Sequence, residues 1–408
     1  MKCGLLGRTL GHSYSPQIHN LLGTYEYTLF EKEPEQLDAF FAEGDFQGLN
    51  VTIPYKKAVI PYCDKLTPVA QELGSVNTIV RKPDGTLLGH NTDYYGFHSM
   101  VEQTGLSLDG KKVLVLGSGG ASATVVAVLR KLKSNPVVIS RTGENNYHNL
   151  HLHSDASVIV NTTPVGMYPN NYDRPIDLSL FPYLEGVLDI IYNPARTPLL
   201  QEAQQRNLVT QNGLWMLVAQ AKQSSEYFTG EAIPDEKIAQ IHNILAQQME
   251  NIILIGMPGS GKSTIGQALA QRLNRKFVDC DTCVTELAGM PIPQIFETKG
   301  DAGFRALETQ CLKELGKESG LIIATGGGCV TQMENYPLLH QNGQIFWIKR
   351  EIDQLPTDGR PLSQQTNLYQ MYQQRQPLYA AFCDYEVSNN SMLDIALEQI
   401  MAILKEDL

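Results

Sequence analysis

Residues 256–263, GMPGSGKS, fit the spacing GxxxxGK[ST]. The apolar run NIILI at 251–255 precedes them and the helical pattern TIGQALAQRL follows. In that setting, successive backbone N–H groups at a helix N-terminus present partial positive charge to phosphate oxygens. Gly259, Ser260, Gly261 and Thr264 then surround the anion, Lys262 reaches its terminal phosphates, and the Ser263 hydroxyl ligates magnesium. The next strand pattern ends in VDCD at 278–281, placing Asp279 and Asp281 one residue either side of a turn. Alternate residues at a strand end face the same way, so one carboxylate can join a metal shell while the other meets a substrate hydroxyl. Cys280 and Cys283 form a CxxC without thioredoxin-like surroundings, and no redox role is assigned to them.

A second strand, glycine turn and helix lie earlier in the chain. KVLVL at 112–116 runs into Gly117, Ser118, Gly119, Gly120 and Ala121, then an apolar-periodic stretch to about Lys133 and the strand PVVIS at 136–140. The turn is a partial GxGxxG, with Ser122 at the place of the third glycine. Ser140, Arg141 and Thr142 end the following strand, where a dinucleotide unit that prefers NAD shows an acidic residue. Arginine there favours the 2′-phosphate of NADP.

Elsewhere in this half, Ser13 and Ser15 sit on one side of an extended segment before a helix. NVTIPYK at 50–56 ends a strand with Lys56, Asn77 opens another strand, and Asn91, Thr92 and Asp93 head a helix. Hydride reduction of a ketone leaves an alkoxide, which needs a proton donor in hydrogen-bond reach and a partner that sets the donor's charge. Lys56 beside Asp93 meets that need. A coupled pair titrates as a unit, so which group transfers the proton stays open.

The elements that must carry these residues repeat one plan, strand then glycine turn then helix, which predicts parallel sheets covered on both faces. No short repeat or low-complexity linker interrupts it, and the seam between halves falls near 247–250, a short stiff connection after the helix EKIAQIHNILAQQ. The chain has 408 residues, 42% hydrophobic and 18% charged, enough for two or three domains. Its net charge of -11 repels phosphate backbones and anionic membranes, so no nucleic-acid or membrane partner is expected, and anionic ligands must be held by local groups. The N-terminal stretch lacks a signal-peptide core, no apolar run approaches the roughly 20 residues of a membrane span, and seven cysteines suit a reducing compartment. A cytoplasmic location is expected.

After the glycine-rich loop come GFRALE at 303–308, LIIATGGG at 321–328, GRPL at 359–362 and RQPLY at 375–379. In that order these pieces resemble shikimate kinase, from Asn251 to the C-terminus. The resemblance implies that Asp281 binds the reacting hydroxyl, Asp279 holds the magnesium shell, Arg305 and Arg375 clamp the substrate carboxylate, Gly327 packs against the ring, and Arg360 belongs to a lid over ATP. One departure is the stretch EIDQLPTDGR at 351–360, short and acidic where the family's lid carries a further basic residue.

The clusters of the first half, with VNTTPVGM at 160–167, DIIYNP at 189–194 and NGLWMLVAQ at 212–220, resemble shikimate dehydrogenase from Cys3 to Leu245. That likeness implies that Ser13 and Ser15 bind the substrate carboxylate, that Thr52, Asn77, Asp93, Tyr192 and Gln220 bind its hydroxyls, and that Lys56 is the catalytic lysine paired with Asp93. Residues 117–121, 140–142, Ile190 and Gly213 would line NADP(H). The fold expected is α/β: an N-terminal α/β substrate domain (1–100 and 214–245) and a Rossmann-like NADP domain (101–213) within 1–249, followed by a P-loop α/β/α domain with a parallel sheet (250–408). Together the resemblances imply NADPH-dependent reduction of 3-dehydroshikimate to shikimate, then ATP- and Mg2+-dependent phosphorylation of shikimate. A quinate or broad-specificity dehydrogenase in the first half, or one half kept as a non-catalytic ligand-binding module, are the alternatives. Oligomeric state, relative orientation of the halves and direct transfer of shikimate are not readable at this level, and free diffusion between the sites is expected.

Overall fold

The computed structural model describes residues 1–11, 13–355 and 368–406. The chain divides into two compact units: Met1–Gly166, Asp173–Tyr192 and Glu202–Asn243 form the first, and Met167–Tyr172, Asn193–Gln201 and Ile244–Leu408 the second. Among the described residues no helix is long and apolar enough to cross a membrane.

The first unit holds two sheets. Strands β1 (Lys2–Gly7), β2 (Glu26–Glu31), β3 (Gly48–Val51), β4 (Lys65–Leu66), β5 (Thr78–Arg81) and β6 (Leu87–His90) form one in the order β2-β1-β3-β5-β6-β4. Here the strands are mixed. β1 is parallel to β2 and β3, but β5 is antiparallel to both β3 and β6. The five residues 82–86 between β5 and β6 are too few for a crossover, so these two strands pair as a hairpin. Leu6, Phe40, Phe46, Leu49, Tyr55 and Ile79 form its apolar core.

The second sheet is fully parallel. β7 (Lys112–Leu116), β8 (Asn135–Ile139), β9 (Val158–Asn161), β10 (Gly186–Asp189) and β11 (Val209–Gln211) take the order β11-β10-β9-β7-β8. Val113 to Leu116 are fully buried, as central strands covered on both faces require. The sheet grows in opposite directions from β7, toward β8 and toward β9, and such a switch point opens a crevice at the carboxyl ends of the strands. Helices Asp93–Thr104 and Leu214–Thr229 pack closely, because a Cβ on Gly96 would stand 2.7 Å from the Met216 carbonyl oxygen.

The second unit is a three-layer α/β/α arrangement around β12 (Asn251–Ile255), β13 (Phe277–Asp279), β14 (Ile322–Ala324), β15 (Gly343–Lys349) and β16 (Tyr385–Ser388). All neighbours are parallel, in the order β13-β14-β12-β15-β16. The two-residue period of β12 serves both layers. Ile252 and Leu254 pack with Ile265, Leu269 and Leu397 of the helices Lys262–Leu273 and Leu393–Glu406. Ile253 and Ile255 pack with Ile295, Phe304 and Tyr379 on the other face. The long helical stretch Ile292–Leu315 is two helices meeting at Gly300, whose φ of 68° no continuous helix contains.

Candidate active sites

In the first unit the Lys56 ammonium lies 2.6 Å from Asp93 Oδ2, both side chains half-buried. The expectation that Lys56 ends a strand is corrected: β3 stops at Val51, and Lys56 stands in the turn that follows. Its carbonyl accepts the Val76 N–H at 2.8 Å, tying that turn to the segment entering β5. Asp93 is the first residue of its helix, where the helix dipole favours a carboxylate.

The residue before it, Thr92, gathers the other expected groups. Asn77 Oδ1 accepts the Thr92 N–H at 2.7 Å, and the Thr92 hydroxyl donates to Gln220 Oε1 at 3.3 Å. Behind them lies a buried hydroxyl network that sequence reading missed. Ser224 Oγ stands 2.9 Å from Thr78 Oγ1 and 3.0 Å from Thr92 Oγ1, accepts from Asn50 Nδ2 at 2.8 Å, and donates to the Gln220 carbonyl at 2.9 Å. The four-residue spacing of Gln220 and Ser224 on one helix face was the available signal.

Ser15 also differs from expectation. It opens the helix Ser15–Leu22 rather than lying in an extended segment, because Pro16 in the first turn is already set for a helix, and its N–H donates to Ser13 Oγ at 3.2 Å. The Ser15 hydroxyl reaches Tyr27, whose own hydroxyl donates to Asn50 Oδ1 at 2.8 Å, linking Ser15 to the Ser224 network. Between the serines, Tyr14 meets Tyr192 edge-on with centroids 6.1 Å apart, and burial pushes the Tyr192 hydroxyl pKa up. The Thr52 methyl packs at the end of β1, where a Cβ on Gly7 would be 2.8 Å from it, and its N–H donates to the Leu6 carbonyl.

At the parallel sheet, Gly117 has a φ of 100° and donates its N–H to the Ile139 carbonyl at 2.8 Å, so the turn stands beside the end of β8. No atom lies within 4 Å of where a Cβ would be on Gly119 or Gly120, and the helix Gly120–Lys131 starts there. Open space over backbone N–H groups at a helix start suits a pyrophosphate. Ser118 and Gly119 line a cavity of about 420 Å³, Ala121 is partly buried beside them, and Ser122 is buried where a third glycine would stand. Ser140 lies one residue past β8 with its hydroxyl bonded to the Thr142 carbonyl, and Arg141 and Thr142 are exposed. A Cβ on Gly213 would stand 2.0 Å from the Ile190 carbonyl oxygen, which brings these two expected residues into direct contact. Asp189, fully buried, accepts from Asn161 Nδ2 at 3.1 Å and from the Ile191 N–H at 3.0 Å and so holds the turn that carries Ile190 and Tyr192.

In the second unit, Lys262, Ser263, Asp279, Asp281, Arg305 and Arg375 line one cavity of about 610 Å³, together with Gly259, Gly261, Thr264 and Gly327. Ser260 is not in that lining. Its side chain is fully buried inside the loop, so only its backbone is available to a ligand. Lys262 donates to the Gly256 and Met257 carbonyls, both at 2.9 Å. Ser263 Oγ donates to Asp279 Oδ2 at 2.6 Å.

The strand-alternation argument for the two aspartates fails. β13 ends at Asp279, which caps the helix Cys280–Ala288 by accepting the Asp281 N–H at 3.0 Å, and Asp281 lies in that helix's first turn. Helical rather than strand geometry brings both carboxylates to the cavity. A Ser hydroxyl and an adjacent carboxylate are hard oxygen donors of the kind Mg2+ takes, few in number because phosphate and water complete its octahedron. Among the described residues no group of three or more His, Cys, Asp or Glu could hold a metal by itself.

Arg305 and Arg375 approach the cavity in different ways. Arg305 is buried, its Nη1 2.5 Å from Oε2 of Glu308, which is 1% exposed. Burial raises the Glu308 carboxyl pKa, an effect the Arg305 charge opposes. Arg375 donates to the Gly327 carbonyl at 3.0 Å. The glycine run beside them is sterically required: a Cβ would meet Glu308 Oε1 at 2.2 Å from Gly326, Pro258 at 2.6 Å from Gly327, and the Arg305 guanidinium at 2.3 Å from Gly328. Glu308 and Arg350, which also lines the cavity, carry no role in the sequence reading, although Glu308 stands three residues after Arg305 on one helix. Arg360 lies outside the described residues. All seven cysteines are free.

Comparison with known proteins gives independent evidence. Residues 258–405 match the family described as shikimate kinase, and residues 5–79 match the shikimate dehydrogenase substrate binding domain. A shikimate dehydrogenase (NADP(+)) of Clostridium perfringens (strain 13 / Type A) is 34% identical over 265 residues, 59% of this chain and 97% of that protein. The crystal structure of a chorismate mutase/shikimate 5-dehydrogenase fusion protein from Clostridium acetobutylicum aligns with a TM-score of 0.57 at 33% identity, over 60% of this chain and 96% of that one. Quinate dehydrogenase from Corynebacterium glutamicum in complex with NAD aligns at 0.55 and 27% identity, over 60% of this chain and 98% of its own.

Proposed function

The chain belongs to the shikimate dehydrogenase family and carries a shikimate kinase domain after it, and on that footing we propose that it reduces 3-dehydroshikimate with NADPH and phosphorylates the resulting shikimate with ATP. The observation that carries this reading is the presence, in one chain, of a lysine–carboxylate pair at 2.6 Å and a phosphate-loop lysine that shares a cavity with two arginines. The product of the first reaction is the substrate of the second.

In the dehydrogenase, NADPH supplies the hydride when bound along residues 117–121, with Arg141 at its 2′-phosphate and Ile190 and Gly213 beside it. Lys56 donates a hydrogen bond to the ketone oxygen and holds the proton the alkoxide needs, and Asp93 keeps the ammonium charged and aimed. Thr52, Asn77, Tyr192 and Gln220 bind the ring hydroxyls, and Ser13 and Ser15 the carboxylate. In the kinase, Lys262 exchanges its loop carbonyls for phosphate oxygens, Ser263 and Asp279 hold magnesium, and Asp281 orients the attacking hydroxyl. Arg305 and Arg375 grip the carboxylate, a task suited to planar guanidinium groups. We assign residues 1–249 to the dehydrogenase (substrate domain 1–100 and 214–245, NADP domain 101–213) and 250–408 to the kinase. Small molecules are its only proposed partners, and the cytoplasm, where its thiols stay reduced, its place of work.

Two assays on one preparation test the proposal: shikimate-dependent reduction of NADP+ and ATP-dependent phosphorylation of shikimate. Lys56→Ala should abolish the first alone and Lys262→Ala the second alone. Absence of either activity in the parent protein removes that half of the reading. Quinate with NAD, assayed beside shikimate with NADP+, separates the dehydrogenase from a quinate enzyme, and faster quinate turnover would overturn the substrate assignment.

A further inference from the structure

A second cavity of the first unit, about 330 Å³, is lined by none of the residues assigned above to substrate or cofactor. Its polar groups are His90, 6% exposed, and Asn91, 5% exposed. His90 Nε2 and Asn91 Oδ1 are buried with no hydrogen-bond partner, although Asn91 Nδ2 donates to the Ser75 carbonyl at 3.0 Å. Buried polar atoms left unpaired cost about 1–3 kcal/mol each, and native proteins rarely keep two side by side without a ligand or water to meet them.

The walls are aromatic. Tyr94, Tyr95 and Tyr227 line the cavity, and Tyr227 stacks on His90 with centroids 4.0 Å apart. At the rim stand two basic residues. His98 is already engaged with Glu102 at 3.2 Å, whereas the exposed Lys131 is in no ion pair among the described residues.

We propose that this cavity binds a small aromatic carboxylate bearing a ring hydroxyl. The hydroxyl donates to Asn91 Oδ1 and accepts from His90 Nε2–H, satisfying both orphan atoms with one group. The ring lies against the tyrosines, an arrangement that adds stacking to apolar burial. The carboxylate meets Lys131. Burial holds the His90 pKa down to about 4, so the imidazole is neutral near pH 7 and offers one N–H and one lone pair. A volume of this size is at the small end for ligand sites and suits a single-ring molecule. The pocket touches the reaction site through the turn Asn91–Thr92–Asp93, so a ligand here would sit against the segment that positions Asp93.

The test is calorimetric titration of the full chain with 4-hydroxyphenylacetate, phenylacetate and tyrosol, which remove in turn the hydroxyl and the carboxylate. One saturable site per chain is expected for 4-hydroxyphenylacetate, with a Kd below about 1 mM. Phenylacetate should bind at least about tenfold more weakly, since it leaves both buried atoms unpaired. Lys131→Ala, on the surface, should weaken 4-hydroxyphenylacetate several-fold and leave tyrosol unchanged, and Tyr227→Ala should weaken all three. Shikimate and NADP+ in excess should not displace the ligand. Absence of saturable binding, equal affinity for phenylacetate, displacement by shikimate, or indifference to both substitutions would each overturn the proposal.

Discussion

Removing the Glu308 carboxylate should destabilise the kinase unit more than almost any other single change. The Arg305 and Glu308 side chains are 7% and 1% exposed and meet at 2.5 Å, while the other acid near Arg305, Asp301, is 3.6 Å away and 65% exposed. Glu308→Ala therefore strands a guanidinium in the interior, and breaking a buried pair from one side costs about 3–5 kcal/mol. At about 2–4 °C per kcal/mol for a unit of this size, the midpoint of heat inactivation should fall by roughly 10 °C. Glu308→Gln keeps the volume and one acceptor oxygen, so its loss should be about half as large. The assay is residual shikimate phosphorylation after heating, with dehydrogenase activity of the same samples as the internal reference. The KM for shikimate should rise in Glu308→Ala while that for ATP holds, because Arg305 loses the partner that aims it. The pH dependence has a definite sign. Burial raises the folded-state pKa of Glu308 above its ordinary 4.5. The stability linked to this group is thus present below that value and lost as pH rises through the folded pKa, whereas glutamine does not titrate. The advantage of the parent over Glu308→Gln should narrow as pH rises upward from about 4.5. A Glu308→Ala midpoint within about 2 °C of the parent would refute the reasoning, since a buried pair cannot be removed from one side at so little cost.

Acid should weaken the first unit through His19, whose pKa burial lowers from 6.5 to about 3. A depressed folded pKa means stability that is present above pH 6.5 and is lost at about 1.4 kcal/mol per pH unit below it. His19→Phe, which retains the stack on Tyr27, should flatten the acid limb of dehydrogenase heat inactivation between pH 6.5 and 5, and an unchanged slope would exclude His19 as its source. Gly213→Ala would force a methyl to 2.0 Å from the Ile190 carbonyl oxygen. The segments must part, and the KM for NADPH should rise about tenfold or more with kinase activity intact. An unaltered KM would remove Gly213 from the cofactor site. Asp279→Asn loses the carboxylate 2.6 Å from Ser263 Oγ and should shift the Mg2+ dependence of phosphorylation to higher concentration. An identical magnesium titration would show that Asp279 holds no metal.

The clearest strands in the sequence were those with no choice of environment. KVLVL and NIILI coincide with β7 and β12 because a central parallel strand is apolar on both faces. The mixed first sheet was not legible, since its antiparallel character comes from the short connection between β5 and β6. Ser15, Lys56 and Asp281 were singled out from motifs, but each stands on a different local structure from the one expected. Motif spacing records which side chains must converge and leaves open whether a turn, a helix start or a strand delivers them. The Ser224 network was out of reach because Asn50 and Ser224 are 174 positions apart and meet only through tertiary packing. Glu308 was in plain view in the quoted motif. What the sequence hides is its burial, and burial is what makes its charge consequential.

On these assignments one ligand, shikimate, has its carboxylate held by two hydroxyls in the first site and by two guanidinium groups in the second, and the difference follows from what else each site must contain. Hydride transfer proceeds beside a lysine already paired with Asp93, so a second cation there would compete for that carboxylate and disturb the charge of the proton donor. Neutral hydroxyls avoid this. Phosphoryl transfer instead brings a carboxylate into a cavity that also admits a polyphosphate, and in a partly dry site like charges repel strongly. Arg305 and Arg375 offset that repulsion before the nucleotide's own loop is counted. Glu308 then has a second consequence. It lets one of these arginines stay charged while 7% exposed, and so keeps a cation ready in the site of a protein whose net charge of -11 supplies no general attraction for anions.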